Sequence, residues 1–169
     1  GEYDDWVEIL HREALPIDLA GIFLSDDPSD PWAFELPDIE LAPGERLLVW
    51  CDGNPEQGDR HAPFKLSKEG ETVYLSTRDV TVDAIAIGAL DTDESLMRLP
   101  DSSSTWLACR HATPNEANAC LPGDIRTPAV PTAVPSTPPP ATTPATRTPT
   151  RQHGTATPTA PTPEPAGRI

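Results

Sequence analysis

Three aspartates fall within five residues in the segment Ser25-Asp26-Asp27-Pro28-Ser29-Asp30-Pro31. Calcium binds several oxygen ligands at once, so Asp26, Asp27 and Asp30 could supply part of a calcium site. Glu2, Asp4 and Asp5 could add oxygens if the two loops meet. The spacing is not that of an EF-hand, and Asp-Pro and Ser-Asp are ordinary turn formers, so a plain turn is the stronger expectation. Calcium is the one candidate ion, and no other cofactor is expected.

The three cysteines are Cys51, Cys109 and Cys120. Cys109 and Cys120 bracket a short segment at the end of the folded region. In an extracellular setting they would pair and staple that segment down, for about 2–4 kcal/mol. Cys51 follows the strand-like run Leu47-Leu48-Val49-Trp50 and reads as a buried free thiol. A metal site from Cys109, His111 and Cys120 would lack a fourth ligand and a paired Cys-x-x-Cys.

Of the four tryptophans, Trp32 and Trp50 fall where core residues should. Trp6 and Trp106 are the candidate ligand-binding residues, able to form a stacking platform for sugars. His11, His61, His111 and His153 are scattered without an evident partner. The chain carries no Gly-x-Ser-x-Gly elbow, phosphate loop or His-Glu-x-x-His. A serine nucleophile at Ser102-Ser103-Ser104 would lack an identifiable base. The reading is a protein that is not an enzyme.

The elements that would position these residues are β-strands. Short apolar runs alternate with turn signals, and no stretch shows a capped helical period. The runs are Trp6 to Leu10, then Ile17 to Leu24 with a bulge at Gly21, then Trp32-Phe34-Leu36 as a half-buried strand. Ala42-Pro43-Gly44-Glu45 is a turn, and Arg46 to Cys51 is apolar on both faces, as in a central strand. Phe64 to Leu66 and Thr72 to Ser76 form a hairpin around the turn at Gly70. Thr81 to Ile87, Leu96 to Leu99 and Trp106-Leu107 complete the set. Seven or eight such strands describe a two-sheet sandwich.

From about Thr127 the composition changes to alternating Pro, Thr and Ala, without an aromatic residue. Such a segment cannot bury enough apolar surface to offset its ordering entropy and is expected to be disordered. Its prolines favour an extended polyproline II spacer, and Thr/Pro stretches commonly serve as extracellular stalks. We place the sandwich at residues 1–122 and the stalk at 123–169. The whole chain carries −15. Arg147, Arg151 and Arg168 outnumber Glu164 in the tail, so the folded part holds roughly −17. That field argues against nucleic acid and anionic lipid as partners. No apolar run is long enough to insert in a bilayer as a helix.

In order along the chain, several of these segments resemble the lamin tail domain, an immunoglobulin-like β-sandwich. Asp5-Trp6-Val7-Glu8-Ile9 resembles the family's opening strand, and Ile17-Asp18-Leu19-Ala20-Gly21-Ile22-Phe23-Leu24-Ser25-Asp26 its Asp-Leu-small-Gly strand. Leu41-Ala42-Pro43-Gly44-Glu45-Arg46-Leu47-Leu48-Val49 resembles the Pro-Gly turn and following strand. Phe64 to Leu75 is similar to the Leu-Ser-x-x-Gly hairpin, with Val82-Asp83-Ala84-Ile85 after it. Ser95-Leu96-Met97-Arg98-Leu99-Pro100-Asp101 and Trp106 resemble the closing signature. Ala112-Thr113-Pro114-Asn115-Glu116-Ala117-Asn118 is similar to the terminal Thr-Pro-Gly-x-x-Asn, with Asn115 in the Gly place. The family's usual first strand, of Ile-Asn-Glu type, is missing ahead of Asp5, which would leave one sheet edge open. Nothing resembles a lamin's coiled-coil rod.

The resemblance implies an immunoglobulin-like sandwich of the bacterial secreted or surface type. With the stalk, it implies a non-catalytic extracellular module that binds or tethers. The expected partner is a protein or cell-surface glycan, or a covalently linked neighbouring domain. One alternative is an accessory domain of a secreted hydrolase, nuclease or spore-coat-type kinase. The other is a structural surface or adhesion unit.

Overall fold

The computed structural model describes residues 4–127. The expected stalk beyond Thr127, His153 and Glu2 lie outside the described residues. Within them the chain forms an all-β sandwich of short antiparallel strands. Eleven strands occur among the described residues, more than the seven or eight expected: one expected run splits in two, and Glu40–Leu41 and Ile125–Arg126 are short strands outside the expected runs.

The first layer pairs β1 (Trp6–Leu10) with β6 (Arg46–Trp50). The Ala42–Glu45 turn closes on itself, and the pairing runs on through His11 N–H to Glu45 O and Cys51 N–H to Asp5 O. On its other side β6 meets the segment around His61 through a parallel bridge at Trp50. Leu47, Val49 and Cys51 point inward and are buried, with Val7 and Ile9 beside them. Leu48 and Trp50 lie on the opposite face and are half-buried, so β6 is less fully enclosed than its composition suggests.

The facing layer is a four-stranded sheet in the order β4 (Phe34–Glu35), β3 (Phe23–Ser25), β7 (Glu71–Ser76), β8 (Thr81–Ile87). Leu24, Phe34, Val73, Leu75, Ile85 and Ile87 contribute its inner side to the core. Two smaller sheets join β2 (Ile17–Asp18) to β5 (Glu40–Leu41), and β9 (Ser95–Arg98) to β10 (Trp106–Cys109) and β11 (Ile125–Arg126). β11 carries the paired chain past residue 122. The Cys109–Cys120 disulfide closes an 11-residue separation beside it.

Three local readings are corrected. The expected strand Ile17 to Leu24 is two strands in different sheets, because Ala20-Gly21 turns the chain between them with Gly21 at φ 75°. Trp32 is not core: at 36% exposure it lies outside β4, under Arg78, whose guanidinium also covers Phe23. The run Phe64 to Leu66 does not pair with β7, which is claimed on both sides by β3 and β8. It bridges to Asp52 instead.

The outer strand β8 pairs only with β7 among the described residues. Asp83 blunts it as a template. Its carboxylate accepts from the Ala84 N–H at 2.9 Å and from Arg98 at 2.8 Å.

Gly70 stands at φ 97°, and a Cβ there would lie 2.6 Å from the Ile87 carbonyl oxygen. Gly21 is equally left-handed but faces open space. Gly21→Ala should therefore cost about 1 kcal/mol, from backbone strain alone. Gly70→Ala should cost about 3 kcal/mol, because backbone must also move. Urea denaturation of the two variants checks the difference.

Candidate functional site

The outer face of β1 and β6 brings together residues far apart in sequence. In the antiparallel register Trp6 lies opposite Trp50, Glu8 opposite Leu48, and Leu10 opposite Arg46. Directly opposed residues share a face. Since Val7, Ile9, Leu47 and Val49 take the core side, Trp6, Trp50, Glu8 and Arg46 are left on the other.

At one end of this face is a polar clasp. Arg46 bonds Glu8 at 3.3 Å and Asp101 at 2.6 Å. The second Glu8 oxygen accepts from the Asn115 N–H at 2.6 Å, and the second Asp101 oxygen from the Asn118 N–H at 3.1 Å. The Asn118 side chain donates to the Arg98 carbonyl. Asn115 has φ 64°, a left-handed conformation that Asn tolerates better than most residues. The clasp is mostly buried, with Arg46 15% exposed and Glu8 12%. It joins β1, β6, the β9–β10 turn and the loop before Cys120.

The other end is aromatic. Trp6 and Trp50 are half-buried across the ladder, and His61 stacks on Trp50 with ring centroids 6.5 Å apart. His61 is fixed from behind. Its Nδ1 lies 2.7 Å from Asp52 Oδ2, and the Asp52 side chain is fully buried. Asp52 also accepts from the Asn54 N–H, which closes the loop over the Pro55–Gln57 3-10 turn. Burial pushes the Asp52 carboxyl up, but its hydrogen bonds from His61 and Asn54 outweigh that and hold it below the ordinary carboxylate range.

This geometry fixes the orientation of the His61 imidazole. The adjacent thiol, Cys51, is a buried free cysteine. Burial first, then Asp5, Asp26, Glu71 and Asp52, push it up to about 12, so it stays a neutral thiol at physiological pH.

The expected site residues separate. Trp106 lies on β10, away from the Trp6 ladder, and its ring is covered by the Arg98 guanidinium at 4.3 Å. Trp6 instead lies opposite Trp50, which has His61 on its other side. The acidic turn of Asp26, Asp27 and Asp30 lies in the loop after β3. No group of three His, Cys, Asp or Glu side chains among the described residues is gathered to hold a metal ion. Asp27 turns its carboxylate onto the Ser29 N–H and hydroxyl, both at 2.7 Å, and the Ser25 hydroxyl donates to the Asp30 carbonyl at 2.7 Å. Of the three carboxylates, that of Asp27 is spent on closing the turn. Cys109 and Cys120 are bonded to each other.

The histidines also have partners that the sequence did not disclose: His11 with the Leu15 carbonyl, His61 with Asp52 and His111 with Asp124. Gly53 and Gly58, flanking a proline, mark the Asp52–His61 loop as tight, and that was the available signal for their pairing.

Comparison with family models, curated proteins and solved structures finds no match to this chain.

Two predictions follow from these charges. Removing Arg46 strands two half-buried carboxylates, so Arg46→Ala should lose about 2 kcal/mol of stability in urea denaturation. Arg46→Lys should recover only part, because an ammonium cannot reproduce the guanidinium fork.

The pH profile should have two limbs. Burial raises Asp5 and Glu71 above 3.8 and 4.5, so the folded state holds their protons more tightly. Their contribution is lost as pH rises through the raised values. Asp52 and Glu94 are lowered, so their contribution is lost as pH falls below 3.8 and 4.5. Stability should peak in mild acid. Glu71→Gln should flatten the limb on the high-pH side of the peak and Asp52→Asn the limb on its low-pH side, measured as urea midpoints across the pH range.

Proposed function

We propose that this chain is an extracellular, non-catalytic binding module of lamin-tail type, borne on a Pro/Thr stalk. The single observation that carries the family reading is the clasp. Its members come from four separate segments that resemble the lamin tail domain: Glu8 from the opening strand, Arg46 after the Pro-Gly turn, Asp101 from the closing signature, and Asn115 and Asn118 from the terminal motif. Residues scattered over more than a hundred positions meet in one network, which gives the motifs a common physical reason.

The extracellular reading is supported by the Cys109–Cys120 disulfide, since such bonds persist in oxidising compartments. Binding is assigned to the aromatic end of the β1–β6 face. Trp6, Trp50 and His61 follow one another across neighbouring segments, with the Trp50 and His61 rings stacked and His61 held by Asp52. Rings pre-positioned in this way suit stacking against the apolar faces of neutral sugars, and the acidic surface does not oppose an uncharged ligand. The partner class is a cell-surface glycan. The role is to hold whatever the stalk carries near that surface.

Titration with soluble neutral cell-wall polysaccharide tests this by tryptophan fluorescence. Saturable quenching is expected, and Trp6→Ala should weaken it at least tenfold while leaving the circular dichroism unchanged. Trp106→Ala should leave the affinity as it is. A flat titration, or equal loss from both variants, would sink the glycan reading.

A further inference from the structure

The last strand among the described residues and the tail are contiguous. β11 ends at Arg126, and the Pro/Thr/Ala composition begins at Thr127. Tension on the tail therefore reaches β11 first. That strand is held by two ladder pairs, Ala108↔Arg126 and Cys109↔Ile125, and by the ion pair of Arg126 with the buried Glu94 side chain. Two pairs make a weak attachment beside the four that join β9 to β10.

Behind β11 the chain runs back to Cys120, which is bonded to Cys109 on β10, the middle strand of its sheet. Cys109 is fully buried. Between the two cysteines lies the loop that completes the clasp, with Asn115 on Glu8 and Asn118 on Asp101 and Arg98. Those hydrogen bonds would stand directly in the path of a load from the tail if the disulfide were absent.

We infer that the Cys109–Cys120 disulfide is a mechanical shunt. It passes tension from the tail into β10 and keeps it off the loop that fastens Glu8, Arg46 and Asp101. Under load the segment from Leu121 to Arg126 detaches, and extension then stops at Cys120. The loop from Arg110 to Ala119 stays in place, and the β1–β6 face stays assembled while the tether is taut. The use of this device rests on the stalk-borne reading above; the mechanics do not.

Single-molecule stretching of the full chain, held at its N-terminus and at Ile169, tests the shunt. The oxidised protein should show a reversible low-force extension of about 2 nm before global unfolding, the length of roughly six residues. In Cys109→Ser with Cys120→Ser that first extension should grow to about 6 nm, as the clasp loop is drawn out with it. Arg126→Ala, with the disulfide intact, should lower the force of the 2 nm step and leave its length unchanged. Equal first extensions with and without the disulfide would overturn the shunt, as would a change of length in Arg126→Ala. A flat glycan titration beside unequal extensions would remove the binding reading alone.

Discussion

The arrangement of this protein depends on Arg46. A guanidinium with little access to water needs its charge and its donors met, and Glu8 and Asp101 meet them from two directions. The same two carboxylates then have lone pairs left over, which the backbone N–H groups of Asn115 and Asn118 fill. Each member is satisfied only when all are present. The network therefore brings the end of the folded chain onto its beginning. Apolar packing alone would not specify that contact, because hydrophobic burial is non-directional.

Carboxylates serve a second purpose across the molecule. A β-sandwich of short strands has many turns, and each turn leaves backbone N–H groups without a ladder partner. Here acidic side chains repeatedly fill that need. Asp18 takes the Ala20 N–H, Asp27 that of Ser29, Glu45 that of Ala42, Asp52 that of Asn54, and Glu94 that of Asp91. The large negative charge is thus partly a structural feature of the loops. In the segment that holds Asp26, Asp27 and Asp30, the Asp27 carboxylate is engaged locally in the same way.

The aromatic end of the β1–β6 face shows the same economy of position. Period-two alternation puts Trp6 and Trp50 on the face that the core does not use, and the antiparallel register puts them side by side. The parallel bridge at Trp50 then delivers His61 to the same place, with Asp52 behind it. A row of aromatic residues arises without any one segment encoding it.

The sequence by itself determined the class of fold and most strand positions. Thr81–Ile87 and Trp6–Leu10 were legible because alternation and turn residues are local signals, set by the pleat and by the φ preferences of Gly, Pro, Asn and Asp. The buried Cys51 was legible from its apolar run. Partnership was not. That β7 joins β3 and β8 rather than Phe64–Leu66, that Trp32 is covered by Arg78 rather than by the core, and that Trp6 meets Trp50 rather than Trp106 all depend on long-range register. Strand pairing and ion pairing are contacts between distant residues, decided by which faces compete for one core and which charges must be neutralised once buried. A single chain read in order carries the strands and the charges, and only their tertiary placement settles which of them meet.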